Sequence, residues 1–321
     1  MLKQFMRLWQ VFLVPATLAG IVVLQAMLPG LQASTLVVQQ RITNDNRQLR
    51  YTFDSAAGQL NWQFVLANEA IRHNSTLLRP WMPANINEQL GATLQQQAYQ
   101  AGPFVVEPGP AGDWQNFQLT GPDNDQRQQM RNTLLDLTKQ FQQQKLAANG
   151  YQQVILADNT AQIRVDHLNV IQQSIQDVSP IAESAIDQLG ATSQRQLIQL
   201  LLTWVQQIPA DPVEHAEYGQ SYRPPLRVLT EHQADSASKA VLLAAILRSC
   251  LPQLKQALLY TPGHTLLAIA IAPEPGDLTV TLQDTQYLPL DPAAQQQPLL
   301  GQVAQQHQLY IVNQYFAYRQ F

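Results

Sequence analysis

The chain has 321 residues, of which 45% are hydrophobic and 13% are charged, so it can fold around one or two ordinary cores and is not a disordered chain. Its formal net charge is -4 and its lysines and arginines form no dense cluster, which excludes the electrostatic pattern of a nucleic-acid binder. Cys250 is the only cysteine, which excludes an intrachain disulfide and a cysteine-rich zinc site.

The amino terminus carries a membrane-directed signal. Lys3 and Arg7 precede an apolar run from about residue 8 to residue 31, and the next charge is Arg41. About 20 apolar residues suffice to cross a bilayer, so the run predicts a single signal-anchor helix with its basic end in the cytoplasm. A cleaved signal peptide ending at Ala33 is the alternative. Both predict export to the periplasm of a bacterial envelope, either anchored in the inner membrane or soluble after cleavage.

Residues 34–150 predict a small mixed α/β region. Alternating apolar residues from Arg47 to Asn68 around a central turn predict a hairpin. Residues 80–122 are rich in proline, and a short helix around residues 86–99 is predicted there. Apolar residues at helical spacing then predict an amphipathic helix that begins at Asp123 or Asn124 and ends at Asn149.

Residues 151–321 predict an α+β domain, because helical patterns there are followed by a run of strands. Two short strands are expected at residues 151–156 and 161–165, then helices at 167–189 and 193–207, with Pro180 kinking or splitting the first. After a proline-rich loop over residues 208–227, an apolar helix starts at Ser236. Strands are expected near residues 257–261, 264–272, 278–283 and 287–290.

Three separate segments of this second region carry the candidate site. They are Ala234-Asp235-Ser236-Ala237-Ser238-Lys239, Pro262-Gly263-His264-Thr265-Leu266 and Tyr287-Leu288-Pro289-Leu290-Asp291-Pro292. Ser236 opens the helix, His264 opens a strand and Asp291 closes another. Asp284 is a second candidate for the acid, because sequence does not fix the register of the strands.

This order resembles the transglutaminase-like branch of the papain-like cysteine-enzyme fold, over about residues 190–300. Members of that family start the central helix with Gly-Asp-Cys and continue with a histidine and an acidic residue on successive strands. The resemblance implies a central helix packed on an antiparallel sheet and assigns Ser236, His264 and Asp291 to the triad positions. Serine replaces the nucleophilic cysteine, and Ala234 replaces the glycine.

The replacement changes the chemistry that the site can perform. A cysteine at the start of a helix is acidified by the helix dipole and a nearby imidazole, whereas a serine hydroxyl needs a general base to remove its proton. Each residue also has a structural interpretation, namely Ser236 as a helix N-cap, His264 at a strand entrance and Asp291 in a turn. Lys239 is expected on the helix surface or paired with Asp235.

The other reactive side chains suggest no second site. Cys250 follows an apolar run and is expected to be a buried, inert thiol. The six histidines show no ligand spacing, and His215 is placed in a solvated loop, so no metal and no cofactor is predicted.

Three functions remain open from the sequence. The favoured hypothesis is an exported transglutaminase-like pseudoenzyme that binds a protein or peptide. The second is a hydrolase or acyltransferase that uses Ser236 with His264 as base and Asp291 as orienting acid. The third is a structural envelope protein whose glutamine-rich amino-terminal part makes the contacts.

Overall fold

The computed structural model describes residues 36–56, 58–155, 161–211 and 221–321. The predicted anchor or signal peptide over residues 1–33 lies outside these ranges, as does His215. Within the described ranges, none of the helices combines the length and the hydropathy that crossing a bilayer requires.

An antiparallel three-stranded sheet opens the described chain, with β1 (Val37–Ile42), β2 (Asn46–Ser55) and β3 (Gly58–Ala67) in that order. β2 and β3 form the predicted hairpin, which is confirmed. The register pairs Leu49 with Phe64 and Tyr51 with Trp62, so the alternate apolar residues of both strands share one buried face.

The next elements are α1 (Asn68–Ser75), α2 (Pro83–Ala101), β4 (Val105–Glu107), β5 (Gln118–Thr120) and α3 (Asn124–Ala148). Both predicted helices are confirmed, although α2 is longer than expected. The Asp123 carboxylate accepts the backbone N–H of Gln126 at 2.9 Å, which caps α3. Helices α2 and α3 pack against each other and against the chain between them around a small separate core. Its buried residues are Leu90, Leu94, Ala98, Val106, Phe117, Met130, Leu134 and Phe141.

A second hairpin, β6 (Tyr151–Ile155) with β7 (Ala161–Val165), leads into α4 (His167–Ser174), α5 (Ser179–Gln188) and α6 (Gln194–Gln207). The predicted break at Pro180 is confirmed, because α4 ends at Ser174 and α5 restarts one residue before the proline. In the first turn of a helix the missing proline N–H costs no internal hydrogen bond.

The remaining elements are α7 (Pro225–Glu231), α8 (Ser236–Cys250), β8 (Gln256–Thr261), β9 (His264–Ile269), β10 (Val280–Leu282), β11 (Thr285–Leu290), α9 (Gln305–Val312) and β12 (Ala317–Gln320). The strands form one antiparallel sheet in the order β10-β11-β9-β8-β12. The predicted α+β class with a helix on an antiparallel sheet is therefore confirmed.

Helix α8 lies at the centre of the main core, since every residue from Ser238 to Leu247 is buried. One face of the sheet, including Leu258, Leu267 and Leu290, contributes to the same apolar cluster as α8. The opposite face, including Leu266 and Ala268, packs with Ile311 of α9 in a separate cluster. The sheet is thus covered on both sides, as its nearly continuous apolar strands require.

The main core also includes the amino-terminal sheet. Trp204 of α6 packs edge-on against Trp62 and Tyr51, with ring centroids 4.7 and 5.3 Å apart. Residues on both sides of position 150 therefore share one apolar cluster. The predicted domain boundary at that position stays a prediction.

Candidate active site

The first turn of α8 begins with a cap that differs from the predicted one. Asp235 has extended backbone angles, and its carboxylate accepts the N–H of Ser238 at 2.7 Å. The prediction that Ser236 caps the helix is therefore wrong, because Asp235 occupies the cap and Ser236 is the first helical residue. This leaves the Ser236 hydroxyl available for other contacts, and it accepts the backbone N–H of Thr265 at 3.2 Å.

His264 and Asp291 form a direct pair. The His264 Nε2 and Asp291 Oδ1 atoms are 2.8 Å apart, and the Asp291 side chain is completely buried. The sheet register explains the pairing: Leu290 lies opposite Leu267, so Asp291 continues the strand to a diagonal position from His264 on the same face.

Burial alone would raise the pKa of Asp291, but the hydrogen bond and the charge of His264 outweigh it and hold that pKa below its usual value. The backbone N–H of Ala304 also donates to Asp291 Oδ2 at 3.2 Å and favours the same ionised form. Asp291 is therefore a carboxylate that accepts the His264 Nε2 proton, which leaves Nδ1 as the ring nitrogen that Asp291 does not contact.

The structure places Ser236 beside this pair without bonding it to the imidazole. Its hydroxyl contacts the backbone of the residue that follows His264, and in the described part of the chain no hydrogen bond joins it to the His264 ring. The three predicted residues are therefore neighbours at one end of β9, with a hydrogen-bonded acid and base and a hydroxyl held by a backbone amide. Their catalytic roles stay a prediction.

Sequence reasoning missed His307. This buried residue of α9 stacks on His264, with ring centroids 3.9 Å apart and planes inclined by 12°. The Gln306 amide contacts its Nε2 at 3.1 Å, and its Nδ1 has no hydrogen-bond partner among the described residues. Burial and the charge of His264 lower the pKa of His307, although Asp291 opposes them. No spacing in the sequence links residue 307 to the three motif segments.

His264, Asp291 and His307 also bring possible metal ligand atoms within 4.8 Å of one another. Zinc binds an imidazole nitrogen about 2.0–2.1 Å away, along the lone pair in the plane of the ring. Two nearly parallel stacked rings cannot both direct such a lone pair at one ion unless one ring rotates. The arrangement as it stands fits a hydrogen-bonded His264–Asp291 pair with a second imidazole stacked on its histidine.

Lys239 is buried, and the prediction that it lies on the helix surface is wrong. Its side-chain amine donates to the backbone carbonyl of Gln206 at 3.3 Å. The Gln206 amide in turn donates to the carbonyls of Asp291 and Pro298 at 3.1 and 2.9 Å. These bonds tie the end of α6 to α8 and to the chain that leaves β11, and so hold Asp291 in place.

The other candidate residues lie away from the pair. Asp284 is exposed in the turn between β10 and β11, so the structure brings Asp291 and not Asp284 to His264. Cys250 is half-buried at the far end of α8, and burial raises the pKa of its thiol to about 12. This agrees with the predicted inert thiol.

No protein-family model, curated protein or solved structure matches this chain significantly. The inference of function therefore depends on the residues of the site and their geometry.

Proposed function

We propose that this chain is an exported transglutaminase-like protein that has lost its nucleophile and binds a protein or peptide where α8, β9 and β11 meet. The observation that carries the proposal is the hydrogen-bonded His264–Asp291 pair with a hydroxyl, in place of a thiol, beside it at the start of α8. This combination keeps the acid and the base of a thiol enzyme and changes only the group that would attack.

The chemistry of the hydroxyl favours binding over catalysis. The helix dipole and an imidazole can ionise a thiol near neutral pH, but a serine attacks only when a base removes its proton during the reaction. In the described structure the Ser236 oxygen is engaged by the Thr265 N–H and makes no bond to the imidazole.

Restoring the thiol tests whether His264 and Asp291 can still activate a cysteine at position 236. Ser236→Cys is made in a Cys250→Ser background and its alkylation by iodoacetamide is followed from pH 5 to 9. Ser179→Cys is the matched control, because Ser179 is also half-buried and is the first residue of its helix, α5. A paired thiolate should react about tenfold faster at pH 6–7 than the control, and His264→Ala should abolish the difference.

Equal rates for the two cysteines would show that His264 and Asp291 do not activate a thiol at position 236, and would favour the structural envelope protein instead.

Binding is tested separately on an array of immobilised peptides of diverse sequence. We expect Ser236→Ala to retain the bound peptides, because no covalent step is needed, and Ser236→Arg to lose them, because the larger side chain fills the site.

A Ser-His-Asp hydrolase or acyltransferase is the second candidate. The Asp291 carboxylate on Nε2 of His264 favours it, because this bond orients the imidazole and leaves Nδ1 as the ring nitrogen that the acid does not engage. Hydrolysis of acyl or amide test substrates by the unmutated protein, with loss in Ser236→Ala, would establish this activity. No turnover across a broad panel would leave the binding proposal in place.

The membrane tether is part of the proposal and is supported by the apolar run over residues 8–31 with its basic flank. Alkaline carbonate extraction of membranes should leave an anchored chain in the pellet. A cleaved chain would be released with the periplasmic fraction and would be shorter by about the predicted leader.

A further inference from the structure

We propose that the first turn of α9 orients the His264–Asp291 pair, with His307 as a positioning residue for the imidazole. This role concerns the same site as the proposed function. It rests on that proposal for what the His264–Asp291 pair does in the protein. The contacts that support it come from four consecutive residues, 304–307.

The turn contacts both members of the pair. The N–H of Ala304 donates to Asp291 Oδ2, while the other carboxylate oxygen accepts from His264 Nε2. Three residues later the ring of His307 covers the face of the His264 ring at 3.9 Å. The N–H of His307 bonds to the carbonyl of Ala304 at 2.8 Å, so the amide donor and the stacking ring belong to one closed turn.

The sheet explains why α9 is the element that does this. His264 has the same parity along β9 as Leu266 and Ala268, which face α9. Its ring therefore extends toward α9, while the Ser236 hydroxyl contacts the adjoining backbone of β9 at the N–H of Thr265. With only Asp291 as a partner the imidazole could turn about its side-chain torsion, and a flat ring against its face restricts that rotation.

A histidine suits this position because it offers a flat ring that lies against the imidazole of His264. Burial and the charge of His264 lower the pKa of His307, although the charge of Asp291 opposes them. The amide of Gln306 contacts His307 Nε2 and fixes the second ring in turn. A lysine or arginine here would offer no flat imidazole ring to stack on His264.

The test observes the hydrogen bond directly. In protein labelled with ¹⁵N-histidine, the His264 Hε2 proton bound to Asp291 should give a downfield resonance that exchanges slowly with water. We expect His307→Phe, which keeps a flat ring, to retain this resonance, and His307→Ala to lose it or to speed its exchange by about tenfold or more. Asp291→Asn is the control that assigns the signal.

Unchanged exchange in His307→Ala would overturn the proposal, as would loss of the signal in His307→Phe with the fold retained. Ala304→Pro provides a variant that leaves His307 itself in place. Ala304 has φ of -55°, which proline adopts, so the substitution removes the amide donor at an allowed φ, and its ring carbon displaces the Asp291 carboxylate that the N–H held. A shifted or faster-exchanging Hε2 signal is expected, and an unaffected one would contradict the role of this turn.

These measurements use the unmutated Ser236 and need no partner, so they are independent of the proposed function. If the Hε2 signal behaves as expected but Ser236→Cys is no more reactive than its control, the proposed function fails and the role of His307 stands. If Ser236→Cys is reactive and His307→Ala leaves both its rate and the Hε2 signal unchanged, the role of His307 fails alone.

Discussion

The burial of His167 predicts that the stability of this protein is sensitive to acid. His167 at the start of α4 is buried between the rings of Tyr222 and Tyr260, and the Tyr260 hydroxyl lies 3.1 Å from its Nδ1. Burial lowers the pKa of His167 to about 4, although the charge of Asp235 acts in the opposite direction. The folded protein therefore keeps this ring neutral at pH values where the unfolded chain protonates it.

We predict that the free energy of unfolding falls as the pH drops from about 6.5, the ordinary histidine value, to about 4. A depression of this size corresponds to about 3 kcal/mol for His167 alone, since one pKa unit is about 1.4 kcal/mol. Urea unfolding at pH 7.5 and 4.5 measures the loss. His167→Phe keeps a ring in place and should show a smaller loss, and an identical loss in both proteins would contradict the assignment.

At the scale of single residues, the sequence indicated which side chains matter but not which atoms they contact. Asp235 and Ser236 are both good caps, and only the backbone angles decide that the helix starts one residue after the aspartate. The sequence suggests that Lys239 is a surface residue, but its amine is buried and bonds to the carbonyl of Gln206 in α6. His307 contacts His264 through the docking of α9, which no local pattern encodes.

The cap of α8 matters more than an ordinary cap because it is also a junction between segments. The Asp235 carboxylate accepts the N–H of Ser238 through one oxygen and the hydroxyl of Ser221 through the other, at 2.7 and 3.0 Å. The Ser238 hydroxyl in turn accepts the N–H of Arg223. Removal of the carboxylate therefore affects both the helix start and the chain that enters α7.

We predict that Asp235→Ala lowers the free energy of unfolding by about 2 kcal/mol, at the upper end for a lost cap, since the buried hydroxyl of Ser221 also loses its acceptor. Asp235→Asn keeps an oxygen for the Ser238 N–H and should cost less. Denaturant titration of both variants at pH 7 provides the measurement. Equal losses would show that the charge of Asp235, and not the cap, is what stabilises the helix start.

At the scale of elements, the sequence predicted those with strong periodicity. The β2–β3 hairpin and α3 follow from clean alternation and helical spacing. Helix α7 was missed because Pro224 and Pro225 suggested a loop, whereas a proline fits the first turn of a helix. Strand β12 was missed because its residues are mostly exposed and it exists by pairing with β8. Tertiary context, and not local preference, forms such elements.

The whole molecule is organised around α6 and α8, with the α2–α3 segment attached at one place. Trp204 joins the amino-terminal sheet to the helices, and Gln207 donates to the carbonyl of Asp54 at 2.8 Å. By contrast, α2 and α3 bury their apolar residues against each other and against β4 and β5. The N–H of Arg79 bonds to the carbonyl of Asn149 at 3.1 Å, so the two ends of that segment meet.

This organisation predicts opposite outcomes for two deletions. Replacement of residues 80–148 by a short glycine linker should leave a cooperatively folded protein, because the linker spans ends that already touch and the excised core is separate. The melting temperature should fall, since Leu146 and Trp81 pack against the main core.

Deletion of residues 36–67 should abolish cooperative unfolding, because it uncovers Trp204 and the apolar face around it. Thermal melts followed by circular dichroism and tryptophan fluorescence distinguish the two, and a cooperatively folded product of the second deletion would contradict the role given to the amino-terminal sheet in covering Trp204.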